Sequence, residues 1–577
     1  MKPVKRSWIS ISAGLLFFLL LGIVLERHKA FQHARHMAQT RTVPTAMLNH
    51  GPMGELLKQL GVIRSLPNDE SLYTRSKEAP PDPFANIFQK KRHVGQLVFE
   101  AHPGGAAFPS SSQTMEPETP DFGCPILSLA VESNSLYDVQ SGIIANYDKR
   151  GRDWECLGSA SYYEDGLLRF ASGVGLRLHG DKPSHRSKGK NFRLYFRKTC
   201  GLPHFVPDVL GPQANPVRTL VLRGNDPHSM RFATPLALDI VRRIGGLAPE
   251  GIMVKFAMNG RLKGYHWLGE HLSKRQWRSR FGHDEFDFYR YKSTSDPESV
   301  ASYAALHEWV RTLPQPISLD QLAQRIDMDN FQRHVLSLAF CATTDWIQGI
   351  AVHDRSSPDA LWQWISWDMD HSWKHFSKKS GRESWTKKGF GLFGYGEEWL
   401  TRPAGPLPID LEVNLRALLF TRLWKENPEF SNRMIRLTTD MLNHRLTPDF
   451  LQSRLDHYVD FHFNSINRRS WEHRMAAFMQ HRPDYIRSEL QRYFGAGALF
   501  SVVIQADDET SYSVDGYAKQ GAFEGKYFQN QTIVLHAGKK DHHTFSHWLI
   551  HGKSVRGALL SHPVTTNLVI TPIFTGP

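Results

Sequence analysis

The chain has 577 residues, of which 41% are hydrophobic and 22% charged, and its formal net charge is +13. This is an ordinary globular composition, which excludes a disordered or low-complexity chain, and the length predicts two or more domains. The positive charge suits an anionic partner such as nucleotide phosphate, nucleic acid or an acidic membrane surface, although a generally basic surface would give the same excess.

The N-terminus carries an uncharged stretch of 19 residues, 7–25, preceded by Lys2, Lys5 and Arg6. At 1.5 Å per residue it reaches about 28 Å, enough for a hydrocarbon core of roughly 30 Å. It lacks the short apolar region and small-residue exit of a cleaved signal peptide. We therefore expect an uncleaved single-pass membrane anchor. The basic start favours a body outside the cytoplasm, in the periplasm or at the cell surface, but basic residues also follow the stretch, so the orientation stays open.

Composition and pattern divide the remaining chain into three regions. Residues 31–121 are a polar juxtamembrane region that ends in a Pro-, Gly- and Ser-rich linker. Residues 122–495 begin with alternating strands, including a hairpin at Asn259-Gly260, and become helical after about residue 301. Residues 498–577 return to short alternating strands and predict a small C-terminal β-domain.

The four cysteines are too scattered for a zinc ribbon or a C-x-x-C redox motif. Cys124, Cys156 and Cys200 flank polar loops, so one disulfide among them would be compatible with an extracytoplasmic body. Cys341 lies in an apolar run and is predicted to be a buried thiol.

The stretch "WQWISWDMDHSW", residues 362–373, predicts a packed strand that ends in two carboxylates. Residues two apart in a strand share a face, so Asp368 and Asp370 would address one spot. The pair could ligate a metal, or it could cap a turn at the strand end.

Further polar residues lie at the ends of apolar segments. "GLRLHGDKPSHRSKGKNFRLYF", residues 175–196, places Lys190 and Arg193 near a return strand, where they could bind phosphate or face solvent. Residues 223–231 place polar groups before a helix, either as a site or as an Asx-turn cap. Glu270 ends a strand, and Asp345 in "CATTDW" ends an apolar helix, where a carboxylate opposes the helix dipole.

Several motifs occur in one order and carry a resemblance to a known family. They are "CPILSLAV", "GIIANYDKRGRDWE", "VGLRLHG", "KNFRLYF", "LRGNDPHSMRF", "MNGRLKGYHWLGEH", "TTDW" and "WISWDMDHSW". Over residues 122–495 the chain resembles the CotH family of spore-coat-type atypical protein kinases. The resemblance implies an α+β, divergent protein-kinase-like two-lobed fold, here with an N-terminal membrane anchor and a small C-terminal β-domain. It also implies binding of ATP with Mg²⁺ or Mn²⁺ and a protein substrate.

The resemblance also implies roles for individual residues. Lys190, with Arg177 and Arg193, would bind the ATP phosphates, and Glu270 would orient Lys190. Asp345 would occupy the catalytic-loop position, as base or metal ligand.

The two remaining acids would complete the metal site. Asp368 would be the principal Mg²⁺ ligand, and Asp370 would assist it. This division of roles suits phosphoryl transfer, where catalysis is mainly positioning and charge neutralisation.

The chain departs from the family pattern at two places. "DWIQGIAV" has Gln348 and Gly349 where a doublet of Asn is common, and the loop "DKPSHRSKGK" is longer and more basic than usual. A weakened or inactive kinase is therefore an alternative.

Three functions stay open. The first is a Ser/Thr protein kinase, and the second is AMP transfer or ATP-dependent glutamylation on the same fold. The third is an envelope scaffold that binds a partner without catalysis. No nucleic acid is expected, because the basic residues lack an RRM, KH or helix-turn-helix context.

Overall fold

The computed structural model describes residues 124–180, 190–205, 217–224, 233–290, 296–343, 349–373, 390, 408–459 and 468–576. The chain divides into two compact units, one made of residues 1–235, 249–282 and 461–463 and the other of 236–248, 283–460 and 464–577. The fold is mixed α and β as expected, whereas the arrangement into two kinase-like lobes stays a prediction.

The predicted anchor at residues 7–25 and the region at 31–121 lie outside the described residues. Among the helices that are described, none is long and apolar enough to span a membrane. All four cysteines are free, so the disulfide considered among Cys124, Cys156 and Cys200 is not formed, and Cys341 is buried as predicted.

The first unit is built on a closed seven-stranded barrel in the order β1-β2-β3-β4-β5-β7-β6, closed by a parallel pairing of β1 with β6. The hairpin between β6 and β7 turns at Asn259-Gly260 as predicted, with positive φ at both residues. The strands are β1 Ile126–Val131, β2 Cys156–Glu164, β3 Leu167–Leu178, β4 Phe192–Tyr195, β5 Thr219–Arg223, β6 Gly251–Met258 and β7 Arg261–Glu270. The described helices of this unit are α1 Ser133–Tyr137, a 3₁₀ turn at Arg152–Trp154 and, after the barrel, α3 Lys274–Phe281.

The alternation of core and outer residues is clearest in β4, whereas every residue of β1 is buried. In β4, Phe192 and Leu194 enter the barrel core, while Arg193 and Tyr195 lie on the outer face. Burial of the apolar set, at roughly 25 cal/mol per Å² of apolar surface, drives the closure of the sheet.

The second unit combines helices with a short sheet of order β10-β9-β8. The strands are β8 Phe286–Arg290, β9 Ile350–Asp354 and β10 Gln363–Ile365. The helices are α2 Ala233–Ile244, which begins in the first unit, α4 Pro297–Thr312, α5 Leu319–Ala323, α6 Met328–Phe340, α7 Pro408–Glu426, α8 Pro428–Asp440, α9 Pro448–Val459 and α10 Arg468–Phe494. Helix α6 starts where the Asp327 carboxylate accepts a hydrogen bond from the Asn330 N–H at 2.8 Å. Its side chains from Phe331 onwards are almost all buried, so α6 is the central helix of this unit.

The C-terminal part of the second unit is a β-sandwich. Its sheets have the orders β14-β11-β19-β16-β17 and β13-β12-β15-β18, and Trp548 is fully buried in the core they enclose. The strands are β11 Leu499–Ile504, β12 Ser511–Val514, β13 Tyr517–Gln520, β14 Phe523–Phe528, β15 Thr532–Ala537, β16 Thr544–Ile550, β17 Lys553–Arg556, β18 Leu559–Pro563 and β19 Leu568–Thr575.

The sandwich packs against a π-helical turn at Met441–Arg445 that follows α8. The His444 ring is stacked between Tyr517 and Phe523, with centroid distances of 4.4 and 5.3 Å. The Asn443 side chain donates to the Lys526 carbonyl at 3.0 Å and accepts from the Lys526 N–H at 3.1 Å. Asn443 therefore extends the edge of β14 as another strand would.

Two carboxylates that influence each other, Asp440 and Asp515, lie near the same contact. Asp515 accepts hydrogen bonds from the Tyr527 hydroxyl at 2.7 Å and from the Val534 N–H at 2.9 Å. Burial, with the nearby charge of Asp515, raises the pKa of Asp440 to about 7. Asp440 therefore holds its proton in the folded protein at pH values where it would be ionised in the unfolded chain.

We predict that Asp440→Asn stabilises the protein at pH 8. The folded pKa lies above the unfolded one, so the wild type loses stability as pH rises from about 4 to about 7, and a neutral amide has no such loss. Thermal melts should show a higher melting temperature for the variant at pH 8 and a smaller difference at pH 5. Asp359→Asn, at an exposed position of the same unit, is the matched control. Equal melting temperatures of Asp440→Asn and wild type at pH 8 would contradict the prediction.

Candidate functional site

The two acids of the "DMD" motif lie in a turn, so the expectation that they continue a strand is wrong. Strand β10 ends at Ile365, Asp368 has left-handed backbone angles (φ 57°, ψ 49°), and Met369–His371 form a 3₁₀ turn. Met369 is buried, while Asp368 and Asp370 are half-buried. Alternation along a strand therefore does not bring the two carboxylates to one face; the 3₁₀ turn sets their directions instead.

The turn is hydrogen-bonded to the segment that follows α6. The Trp373 N–H donates to the Cys341 carbonyl at 3.0 Å, and the hydroxyls of Thr343 and Ser372 are 2.8 Å apart. Asp345, two positions after Thr343 in the sequence, lies outside the described residues. The described residues that precede it, Cys341 and Thr343, contact the turn that carries Asp368 and Asp370.

Three residues of these two segments have positive φ although none is glycine: Ala342 at 49°, Asp368 at 57° and Trp373 at 60°. Aspartate adopts this conformation readily, whereas alanine and tryptophan do so at a cost of about 1 kcal/mol or more each. Such strain persists where the surroundings fix the backbone, and it concentrates at functional sites.

Two buried arginines support the same region. The Arg482 guanidinium, fully buried, donates to the Phe340 carbonyl at 2.9 Å and to the Ala339 carbonyl. It thereby satisfies the last carbonyls of α6 and places a cation at the negative end of the helix dipole. Burial lowers the pKa of Arg482 to about 10, so it stays charged at neutral pH.

The second arginine, Arg416 on α7, lies 2.9 Å from the His334 Nε2 atom. His334 Nδ1 is 3.1 Å from the Ser366 hydroxyl, two residues before Asp368. Burial and the Arg416 charge lower the pKa of His334, so the ring is neutral. A neutral ring can accept from Arg416 at one nitrogen and donate to Ser366 at the other.

In the first unit the structure brings Arg177 and Arg193 together, as paired residues on the outer face of β3 and β4. Arg177 and Arg197 both contact the Glu155 carboxylate, and both guanidinium groups lie over the Tyr195 ring, at 4.5 and 4.7 Å from its centroid. An added Cβ at Gly175 would lie 2.3 Å from the Glu155 carboxylate, so only glycine lets Glu155 rest there.

The Lys190 ammonium lies 5.7 Å from the centroid of the Tyr147 ring. Partial burial lowers its pKa. Glu270 is fully buried and accepts a hydrogen bond from the Glu250 N–H at 3.1 Å.

Glu270 pairs in register with Leu220, which pairs with Leu194 on β4. Lys190 lies two residues before the first residue of β4, Phe192. The orientation of Lys190 by Glu270 stays a prediction.

Oxygen ligands for a divalent cation are present at the turn. Asp368 and Asp370 offer carboxylates, and Mg²⁺ in nucleotide sites is commonly held by one or two carboxylates together with substrate phosphates. Within the described residues no group of three or more His, Cys, Asp or Glu could hold a metal, and Asp345 lies outside that range. The donors present fit Mg²⁺ that is completed by phosphate oxygens.

Sequence patterns did not reveal the supporting residues. Arg482 lies in a long helix among other charged residues, and nothing in its spacing distinguishes it from a solvated side chain. Thr343 in "CATTDW" is the one supporting residue with a sequence signal, since a hydroxyl two residues before a candidate acid can anchor the loop.

Comparison with known proteins agrees with the sequence motifs. A search of curated proteins finds no match. The family model described as CotH kinase protein matches residues 176–493, a narrower span than the 122–495 suggested by the motifs. Because this match covers more than half of the 577 residues, the chain belongs to the CotH kinase protein family.

Proposed function

We propose that the protein is an ATP- and Mg²⁺-dependent transferase that phosphorylates Ser or Thr of a protein substrate. The observation that carries the proposal is the strained Asp368 turn, hydrogen-bonded to the segment that precedes Asp345. Membership of a kinase family makes phosphoryl transfer the first chemistry to test.

Each acid would have one task. Asp368 and Asp370 would supply carboxylate oxygens to Mg²⁺, which when bound neutralises charge on the transferring phosphate. Asp345 would accept the proton of the substrate hydroxyl. The hydroxyl oxygen would then bond to the γ-phosphorus of ATP, and the bond between that phosphorus and the leaving ADP would break. Arg416, through His334, and Arg482 would hold the two supporting segments in place.

The cations of the first unit would bind the nucleotide phosphates. Arg177 and Arg193 are paired on neighbouring strands of the barrel, Lys190 lies two residues before β4, and Glu270 is proposed to support Lys190 from within the sheet. The lowered pKa of Lys190 reflects desolvation, which an anionic phosphate would offset.

Mass spectrometry of candidate substrates incubated with ATP, Mg²⁺ and glutamate tests the reaction itself. Addition of phosphate supports the proposal, whereas addition of AMP or glutamate would assign the chain to the alternative transfers. A folded protein that modifies nothing and binds no nucleotide would favour the envelope scaffold.

We predict that Asp368→Asn retains the fold and loses transfer. Asparagine tolerates positive φ nearly as well as aspartate, so the turn should persist, but a hard anionic ligand is removed. Activity should fall by roughly a hundredfold or more, and the melting temperature should stay near that of wild type. Asp370→Asn should lose less activity, and Asp359→Asn, exposed in the same unit, should lose none. Full activity of a folded Asp368→Asn protein would remove Asp368 from the site.

We predict that Lys190→Ala weakens ATP-dependent stabilisation. Ligand at a hundredfold excess over Kd stabilises the folded state by about 2.7 kcal/mol, and loss of a phosphate-binding cation raises Kd. The shift in melting temperature with ATP and Mg²⁺ should shrink in this variant. It should be unchanged in Lys198→Ala, which replaces an exposed lysine of the same unit. An equal shift in Lys190→Ala and wild type would refute the assignment.

We further propose membrane attachment through residues 7–25, which is supported by their length and lack of charge. The full chain should remain in the membrane fraction after carbonate washing, and deletion of residues 1–30 should release it. Recovery of the full chain in the soluble fraction would contradict the anchor.

A further inference from the structure

A small pocket opens on the outer face of the barrel in the first unit. Its floor is formed by β3 and β4, and its other wall by the segment between α1 and β2. The lining residues are Ile143, Asn146, Lys149, Arg150, Gly151, Trp154, Arg177, Leu178, Gly180, Arg193 and Tyr195.

The lining is cationic and contains no carboxylate. Lys149 and Arg150 contribute charge from the wall, and Arg177 and Arg193 contribute it from the floor. The pocket is thus lined by four cations and by no acidic side chain. Their combined field attracts a compact anion.

The Glu155 carboxylate, which contacts Arg177, does not cancel this charge. Glu155 is shared by Arg177 and Arg197, so one positive charge of that trio remains. Arg193 donates from Nε to His179 Nδ1 at 3.0 Å, a neutral acceptor that fixes the guanidinium without neutralising it. The floor of the pocket is therefore positively charged and held in place before any ligand arrives.

Two glycines rim the pocket in backbone conformations that other residues rarely adopt. Gly151 has φ 100° and ψ −174°, and Gly180 has φ 99°. The Gly151 conformation is essentially confined to glycine. Because glycine has no side chain, the backbone of the loop can approach a bound ligand closely at this position.

The size of the pocket selects the ligand class. Its volume is about 90 Å³, room for a few water-sized groups, whereas sites that enclose whole small molecules measure roughly 300–1,000 Å³. A phosphate group fits such a space, and a complete nucleotide would have to leave its base outside. Arginine side chains favour phosphate because their paired donors match its oxygens.

We infer that this pocket binds the phosphate group of a phosphomonoester or nucleotide, and that residues 143–154 complete the site. This segment lies before the family-matched range of 176–493, so half of the lining is outside the matched domain. The identity of the phosphate donor rests on the proposed function, but the binding of phosphate does not.

Calorimetric titration of the full chain with inorganic phosphate tests the site. The wild type should bind saturably, with affinity that falls as salt is raised. Lys149→Gln with Arg150→Gln should raise Kd at least tenfold, and so should Arg193→Gln, because each removes charge from the lining. The matched control is Arg261→Gln with Lys263→Gln, which removes two exposed charges from the β6–β7 hairpin of the same unit and should change Kd by less than twofold.

Competition separates the sources of the phosphate. Displacement of phosphate by ATP would place the nucleotide here, and displacement by a phosphoserine peptide but not by ATP would assign the site to a phosphorylated side chain. The inference would be overturned if phosphate did not bind saturably, or if the control variant lost as much phosphate affinity as the pocket variants. Phosphate binding without any transfer activity would overturn only the proposed function, and transfer without phosphate binding would overturn only the pocket.

Discussion

The candidate site depends on the hydrogen bonds that join the end of α6 to the turn after β10. Cys341 accepts from Trp373, and Thr343 meets Ser372, so two segments about thirty residues apart in sequence are fixed side by side. These bonds help to hold the positive φ of Ala342 and Trp373, which is costly for each residue in isolation. The strained backbone angles persist because Arg482 and the buried helix α6 hold the segment of Ala342, while β10 holds the segment of Trp373.

The first unit holds a cluster of arginines around Tyr195 and Glu155. On the outer face of β3 and β4, Arg177 pairs in register with Arg193, and it shares the Glu155 carboxylate with Arg197. Tyr195 presents its ring to Arg177 and Arg197, and Glu155 bridges the same two cations. The arrangement keeps one positive charge in a fixed, half-buried position, where its interaction with an anion is screened less than on an open surface.

Much of the fold could be predicted from the sequence because its signals are local. Alternating patterns predicted strands in the barrel region, Asn259-Gly260 predicted a hairpin, and the apolar run through Phe340 predicted a buried helix. The Asp368 turn could not be read in the same way. "WISWDMD" continues a strand pattern, whereas the 3₁₀ turn is accompanied by contacts of Trp373 and Ser372 with a segment distant in sequence. The role of Arg482 is likewise a property of tertiary packing, since its partners are backbone carbonyls that carry no sequence signature.

Helix α10 carries two arginines of the second unit whose roles the sequence did not predict, Arg482 and Arg487. Arg482 on this helix satisfies the end of α6, and Arg487 donates to the Asn443 side chain at 3.3 Å, which in turn pairs with the edge strand of the C-terminal sandwich. Five residues of α-helix separate the two arginines by about 7.5 Å of rise. Both are buried and both are held by fixed partners, so a displacement of α10 that loosened one contact would also move the other. The sandwich is thus packed against the same helix that supports the end of α6, and its docking contributes to the rigidity on which the strained turn depends.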